Sequence, residues 1–419
     1  MKHRVIVIGG GAAGLMAAGR AAELGAPVLL LEKTPRLGNK LRLTGQGRCN
    51  LTNACDLATF LAHLGPQRDF MRNALARFFV ADLLAFFAAE GVPTITERGQ
   101  RVFPSSQRAE DVVAALERYN LRHGVEIRPR SPVAEILAAD GAVQGVRLAN
   151  GVVIEAAQVI LATGGLSYPR TGSTGDGYEM ARRLGHTITP LRPGLVPLET
   201  AEEFVPSLQG LSLRNVRATA RQNGQLLGSA FGEMLFTHFG VSGPLILTLS
   251  SLLSEALERG PVQLSLDLKP ALSPEQLDQR LQRDLAALGK ASYRALLKGL
   301  VPQAMIPILV ARSRLPQDAR LGHITAEERR RLGGLLKDFP LTILRTRPIA
   351  EAIITLGGVA TPEIVPQTMA SRLVRGLYFA GEIIDIAGDT GGYNLQVAFT
   401  TGRVAGEAAA QAFHLLSAH

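Results

Sequence analysis

The 419-residue chain has only two cysteines, Cys49 and Cys55, so no disulfide framework can hold it together. It lacks any run of the ~18 uninterrupted apolar residues that a membrane-spanning helix requires. Only four residues precede the apolar run that starts at Val5, too few for a signal peptide, and a cytoplasmic location is expected. No cluster of metal ligands stands out, so no metal site is expected. What is present is 46% hydrophobic residue and 44 glycines, which fits an α/β enzyme of two or three domains with many tight loops.

The net charge is +9, and it is unevenly placed. Between Arg280 and Arg347 there are fourteen Lys/Arg against five Asp/Glu, an excess of nine that equals the whole-chain difference of 45 − 36. Such a segment attracts acidic substrates, nucleic acid or a membrane surface, or is simply an Arg-rich solvated helical surface. It contains no known nucleic-acid motif, so a small-molecule substrate is expected and a nucleic-acid partner is not.

The organising stretch runs from Val5 to Glu32. Val5-Ile6-Val7-Ile8 reads as a strand buried on both faces. Gly9-Gly10-Gly11-Ala12-Ala13-Gly14 then fits G-x-G-x-x-G, a helix-period segment runs from Leu15 to Leu24, and Val28 to Leu31 form a second strand ending on Glu32. Gly9 permits a tight turn, Gly11 lets a pyrophosphate approach the backbone, and Gly14 lets the helix pack closely on the sheet. The phosphates would rest on unpaired N–H groups at the positive helix end. Glu32, eighteen residues after Gly14, stands where a carboxylate accepts hydrogen bonds from a ribose. An adenine dinucleotide is expected here. No second G-x-G-x-x-G exists, so no dedicated NAD(P)H domain is expected, although NAD(P)H can still visit as a transient donor.

Past Glu32, a polar, glycine-rich loop from Lys33 to Asn53 lies beside the dinucleotide at the carboxyl edge of the sheet. Lys40, Arg42 and Arg48 can neutralise phosphates there, and Asn39, Asn50 and Asn53 can bond ribityl or ring atoms; an ordinary Ω-loop is the alternative. Cys49 and Cys55 sit where disulfide reductases of the glutathione reductase type carry a redox pair, but five residues separate them instead of four. On a helix that extra residue turns the second thiol about 100° further round. A catalytic disulfide is not expected; Cys49 lines a flavin or packs.

Phe70 to Gly91 reads as one amphipathic helix, and Ala109 to His123 as another. Strands follow at Val133 to Leu137, Gly141 to Leu148 and Val152 to Ile154, with a hairpin signal at Asn150-Gly151. Val159 to Gly165 is a further buried strand running into glycines, and Asp176 caps the next helix or binds a ligand. Short alternating strands from Ile188 to Lys269, interrupted at Gly232 to Ser250, suggest a small barrel or sandwich; helices follow from Pro274 to Leu336. Leu373 to Ala380 returns as a central strand, and Tyr393 to Leu416 is a long helix whose positive end faces whatever lies before it. The expected domains are 1–190 and 346–419, a discontinuous dinucleotide-binding domain, and an insert at 191–345 divided into a barrel (191–270) and a basic helical part (271–345).

Five words, "NKLRLTGQGRCNLTN", "GQRVFPSSQRAEDVV", "LATGGLSYPRTGSTGDGYEMARRLGH", "GEMLFTHFGVSGP" and "LYFAGEIIDIAGDTGGYNLQVAFTTGRVAG", spread over nearly the whole chain. Through them the chain resembles the BaiN/YhiN-like bacterial flavoproteins, described as NAD(P)/FAD-dependent oxidoreductases or aminoacetone-oxidase-like FAD enzymes. The resemblance implies non-covalent FAD in a glutathione-reductase-like Rossmann domain of α/β class, carrying an inserted β-barrel plus helical domain. The Thr174-Gly-Asp-Gly and Gly381-Glu382…Asn394 segments are also similar to fumarate reductase and ketosteroid dehydrogenase flavoproteins. This likeness implies that Glu382 binds the ribityl chain and Asn394-Leu395 the flavin N1/O2 edge. The catalytic arginine of fumarate reductases has no matching motif, which argues against fumarate.

The expected cofactor contacts are Gly9, Gly11, Ala12, Ala13, Gly14, Glu32, Lys33, Asn39, Lys40, Gly45, Arg48, Cys49, Asn50, Val133, Ala162, Thr163, Gly164, Asp176, Gly381, Glu382, Gly392, Asn394 and Leu395. Candidate proton donors are Tyr168, Arg170, His238, Tyr393 and Cys49. The expected activity is hydride transfer through flavin N5 to or from a small or steroid-like organic molecule. Two alternatives stand beside it: a flavoenzyme acting on RNA through the basic insert, and a non-catalytic flavin-binding redox protein.

Overall fold

A computed structural model describes residues 4–289, 291–314 and 324–417. Two compact units emerge, one formed by residues 1–192 with 349–419 and the other by 193–348. The first is built on a seven-stranded sheet in the order Ile364–Val365, Ala370–Ser371, Leu377–Phe379, Gln158–Leu161, Val5–Ile8, Val28–Leu31 and Glu126–Arg128. The last five of these run parallel. Every residue of Val5–Ile8, Val28–Leu31 and Gln158–Leu161 is buried, as a parallel sheet covered on both faces demands. Each such aliphatic side chain stabilises the fold by about 1.5–3 kcal/mol.

Helix Ala12–Glu23 covers one face and packs along the terminal helix, Tyr393–Ser417. Two glycines one helical turn apart allow the approach. A Cβ on Gly402 would lie 2.3 Å from the Ala13 carbonyl oxygen, and one on Gly406 would lie 2.4 Å from that of Ala17. Glu407, in the same helix, takes ion pairs from Arg20 (2.7 Å) and Arg77 (2.5 Å).

The expected helix from Phe70 to Gly91 is broken. Its pieces are Arg68–Met71, Arg72–Arg77 and Val80–Ala89, with extended backbone at Phe78 and Phe79. Asp82 stops the chain from running through: its carboxylate accepts from the Phe79 N–H at 2.8 Å and so starts a new helix. A polar loop is expected from Lys33 to Asn53, yet within it Asn39–Gly47 is helical, kinked at Thr44–Gln46.

His186 pins the antiparallel edge of the large sheet. Its buried ring bonds Glu363 through Nδ1 (3.2 Å) and Ser371 through Nε2 (2.9 Å), with the Phe379 ring edge-on at 4.9 Å. Burial lowers its affinity for a proton more than the Glu363 carboxylate restores it. The folded state therefore favours the neutral ring. The contribution to stability is complete above the unfolded value of 6.5 and is lost as pH falls below it. Thermal melting between pH 7.5 and 5 is expected to fall more steeply for the natural chain than for His186→Gln; equal slopes would refute this assignment.

The second unit contains a closed barrel, in the order Leu198–Thr200, Gly240–Ser242, Gln225–Phe236, Ser212–Gln222, Val262–Asp267 and Phe339–Thr346. The segment expected to interrupt the strands, Gly232 to Ser250, instead completes the Gln225–Phe236 strand, adds Gly240–Ser242 and ends in helix Pro244–Leu253. Helices Pro274–Leu288, Tyr293–Lys298, Ile306–Ser313 and Ala326–Lys337 lie between the last two strands. No helix among the described residues is long and apolar enough to cross a membrane.

Candidate dinucleotide and active site

The turn after the first strand has no spare volume on its protein side. Gly9 adopts φ +103°, and a Cβ there would lie 2.5 Å from the Ala162 carbonyl oxygen. A Cβ on Gly14 would lie 1.8 Å from the Gly9 carbonyl oxygen. One on Gly11 would meet no protein atom within 4 Å. Helix Ala12–Glu23 has no side-chain cap at Gly11, so the amides of Ala12 and Ala13 keep their donors turned to that same open side. A cradle lined by uncapped helix amides fits a pyrophosphate. Glu32 accepts from the N–H of Gly10 through one oxygen and from that of Thr34 through the other, each at 2.7 Å. Each oxygen retains a lone pair for a ribose hydroxyl. The residues present fit an adenine dinucleotide such as FAD.

Other expected contacts converge on this loop. Ala162 continues the sheet by donating to the Ile8 carbonyl (2.9 Å), and Thr163 carries a buried hydroxyl with no partner among the described residues. A Cβ on Gly164 would lie 3.2 Å from Ser173 Oγ and 3.9 Å from Glu382 Oε2. Gly381 (φ +79°) sits against Ala13, where a Cβ would come within 2.8 Å of the alanine methyl. Val133 begins a separate three-stranded sheet, opposite Leu148. Two residues earlier, the Ser131 N–H reaches the Glu32 carbonyl at 2.8 Å.

Four charged residues meet partners far away in sequence. Lys33 holds Asp176 (2.8 Å) and Thr174 (2.6 Å). Lys40 bonds Glu382 (2.7 Å) and Ser167 (2.6 Å). The second Glu382 oxygen accepts from the N–H of Thr355 (2.8 Å) and from Ser167 Oγ (3.2 Å). Ser167 and Thr355 were absent from the expected set, and no local spacing marks them. Asn39 bonds Thr34 (3.0 Å), within its own turn.

The loop from Gly45 to Asn53 divides its residues between roles. Gly45 (φ +57°) packs against the Asn50 amide and the Phe103 ring. Arg48 is engaged by Glu97 (3.1 Å) and Gln107 (3.0 Å) and lies 4.2 Å above the Phe103 ring centre. Asn50 has a buried amide oxygen without a partner among the described residues. Cys49 is fully buried, and burial pushes its thiol up to about 12, so it remains protonated. Both cysteines are free.

At the terminal helix, Gly392 (φ +103°) is pressed against Thr52, whose carbonyl oxygen a Cβ would meet at 2.4 Å. The Asn394 side chain turns back to the Gly388 amide and carbonyl, both at 2.8 Å. Its own backbone N–H and that of Leu395 precede the first intrahelical bond, from Gln396 to Gly392 (3.1 Å). These donors therefore face forward at the positive helix end.

The proton-donor candidates differ in freedom. Tyr393 is buried, stacked on His63 at 4.6 Å and beside Phe60 at 4.9 Å, and burial raises its pKa. Tyr168 is half-buried, with left-handed backbone (φ +51°), and its hydroxyl makes no hydrogen bond among the described residues. It follows Ser167 directly. Arg170 is exposed. His238 belongs to the barrel unit, exposed between Gln225–Phe236 and Gly240–Ser242, with its ring 4.9 Å from that of Phe239. Among the described residues no group of His, Cys, Asp or Glu could hold a metal ion.

Comparison with known proteins matches residues 3–408 to the HI0933-like protein Rossmann domain. A 3-dehydro-bile acid delta(4,6)-reductase of Clostridium scindens is 35% identical over 98% of this chain and 99% of its own length. A ribosomal RNA dihydrouridine synthase of Haemophilus influenzae is 32% identical over 94% of this chain and 96% of its own. Among solved structures, a 3-ketosteroid delta1-dehydrogenase from Sterolibacterium denitrificans superposes with a TM-score of 0.53. It is 16% identical, covering 97% of this chain and 99% of that one, a likeness of fold.

Proposed function

The chain belongs to the HI0933-like Rossmann family and is an FAD-dependent oxidoreductase, and from that premise we propose that it reduces a carbon–carbon double bond conjugated to a carbonyl. One observation carries the reading. The two relatives named above act on dissimilar molecules, yet both names describe saturation of such a bond, in a 3-oxo bile acid and in a uracil ring. Bound FAD supplies the hydride, with NAD(P)H as its transient donor.

The protein's part is to bind, to stabilise charge and to deliver a proton. The uncapped amides at Ala12 and Ala13 hold the pyrophosphate, and Glu32 the ribose. The forward amides of Asn394 and Leu395 stabilise negative charge at the positive end of the terminal helix. Glu382, fixed by Lys40, Ser167 and Thr355, is held for the ribityl chain. Tyr168, whose hydroxyl has no partner among the described residues, is the proton donor of choice over the buried Cys49 and Tyr393.

A second reading concerns the acceptor. Composition alone argued against a nucleic-acid partner, but a relative named for ribosomal RNA gives the excess of nine positive charges between Arg280 and Arg347 a specific use. On this reading the reduced ring is a uracil within RNA. The test is anaerobic reoxidation of photoreduced holoprotein by a 3-oxo-Δ4 steroid or by a uridine-containing ribosomal RNA transcript. Return of the flavin's visible absorption with either acceptor supports the reaction class and chooses the substrate. Reoxidation by neither, at rates above buffer alone, would sink it.

A further inference from the structure

The barrel in the unit 193–348 has one face whose composition the reaction does not explain. On strand Ser212–Gln222 the outward residues are Arg217, Thr219 and Arg221, and the inward ones, Ala218 and Ala220, are fully buried. Register places Phe231 opposite Arg217, Ser229 opposite Thr219 and Leu226 opposite Arg221. On the other side the same three residues face Asp267, Ser265 and Gln263. Phe231 is 57% exposed and Leu226 54%, far more than strand side chains that pack on a neighbour. Between them the hydroxyls of Thr219 and Ser229 meet at 3.1 Å.

The charges on this face do not cancel. Arg217 and Arg221 have no carboxylate partner among the described residues. Asp267, beside Arg217, is already paired with Lys337 at 2.6 Å. Arg221 makes only a long contact to the Gly224 carbonyl, at 3.4 Å. Glu233, two residues beyond Phe231, accepts from the neutral Ser212 hydroxyl at 2.6 Å and keeps its charge, which offsets one of the two arginine charges on the face. Two arginines without a carboxylate partner among the described residues, about 13 Å apart along the backbone of one strand, therefore stand at the ends of a row of hydroxyls, with an exposed aromatic ring opposite the first of them. An apolar partner would leave both arginines desolvated and unpaired, which is costly. A polyanion with flat apolar rings satisfies all of it: phosphates on the arginines, a base on Phe231.

We infer that this outward barrel face docks single-stranded RNA, an inference that rests on the RNA reading of the acceptor. It places sequence-tolerant binding on the barrel, apart from the basic helices.

The test uses full-length holoprotein and a fluorescein-labelled dodecamer of uridine, followed by anisotropy over a salt series. Phe231→Ala is expected to weaken binding roughly tenfold or more. The double variant Arg217→Gln/Arg221→Gln is expected to weaken it and to lower the salt slope by about 1.4, at ~0.7 for each lost phosphate contact on a single strand. Arg147→Gln, an exposed arginine on strand Ala142–Leu148 that lies outside both the barrel and the Arg280–Arg347 segment, is the control and is expected to change affinity less than twofold. Reoxidation of the photoreduced flavin by a small enone is expected to stay unchanged in all three.

If the natural protein binds the dodecamer and both barrel variants bind equally well, the barrel face is refuted while the RNA reading stands. If the natural protein fails to bind even at low salt, both fall. If Phe231→Ala leaves RNA affinity intact but turns a dimer into a monomer on gel filtration, the face joins two copies of this chain, and the inference is overturned.

Discussion

Gly14→Ala is expected to purify without its flavin, whereas Gly11→Ala folds normally and binds FAD more weakly. The two substitutions add the same methyl group three residues apart. At Gly14 that methyl would stand 1.8 Å from the Gly9 carbonyl oxygen, so the helix must lift off the strand and carry its amides away from the phosphates. Overpacking of this kind costs about 1–3 kcal/mol in a core, and here it also destroys the cradle. FAD affinity is expected to drop by more than about 100-fold, the equivalent of ~2.8 kcal/mol. At Gly11 the methyl meets no protein atom and intrudes only on the bound pyrophosphate. A loss of about 10- to 100-fold, with unchanged melting of the FAD-free chain, is the expected result. Isothermal titration of FAD into each apoprotein, with melting curves alongside, checks both. Normal binding by Gly14→Ala would remove the phosphate site from this loop.

Tyr168→Phe is expected to separate the two halves of turnover. Removing one hydroxyl that has no partner among the described residues breaks no hydrogen bond there, so the fold is expected to keep its stability. FAD content and reduction of the flavin are expected to match the natural protein. Saturating the acceptor's double bond needs a proton as well as a hydride, and loss of a positioned acid slows such a step by about 10²–10⁴-fold. Stopped-flow reoxidation by the steroid enone or the RNA transcript would register that loss. Reoxidation within threefold of the natural rate would pass the role to another group. Arg170 and His238 would then be tested next, since both are exposed.

The Rossmann framework was legible because its signals are local. Val5–Ile8, the glycines and Glu32 lie within one short stretch, and buried parallel strands read as plain apolar runs. The barrel also showed itself through two-residue alternation, as in Val262–Asp267. The gaps in the reading share a cause. Lys40 meets Glu382 across 342 positions, and Lys33 meets Asp176 across 143; no periodicity encodes a pairing of that range. The Phe70–Gly91 break was hidden because apolar spacing continues straight through Phe78 and Phe79, while the stop comes from a single Asp82 carboxylate. The charge of Arg48 is visible in a sequence, whereas its engagement with the Phe103 ring and the Glu97 carboxylate is not.

The paired glycines of the terminal helix impose an order on synthesis. Ala13 leaves the ribosome early, but the Gly402 surface against which it packs is 389 residues later, since 402 − 13 = 389. At translation rates of 5–20 residues per second that interval lasts roughly 20–80 s. Residues 193–348, contiguous in the chain, emerge complete within it. Throughout that time the face of helix Ala12–Glu23 that Gly402 and Gly406 later cover lacks its partner, so this contact is among the last that the fold can make.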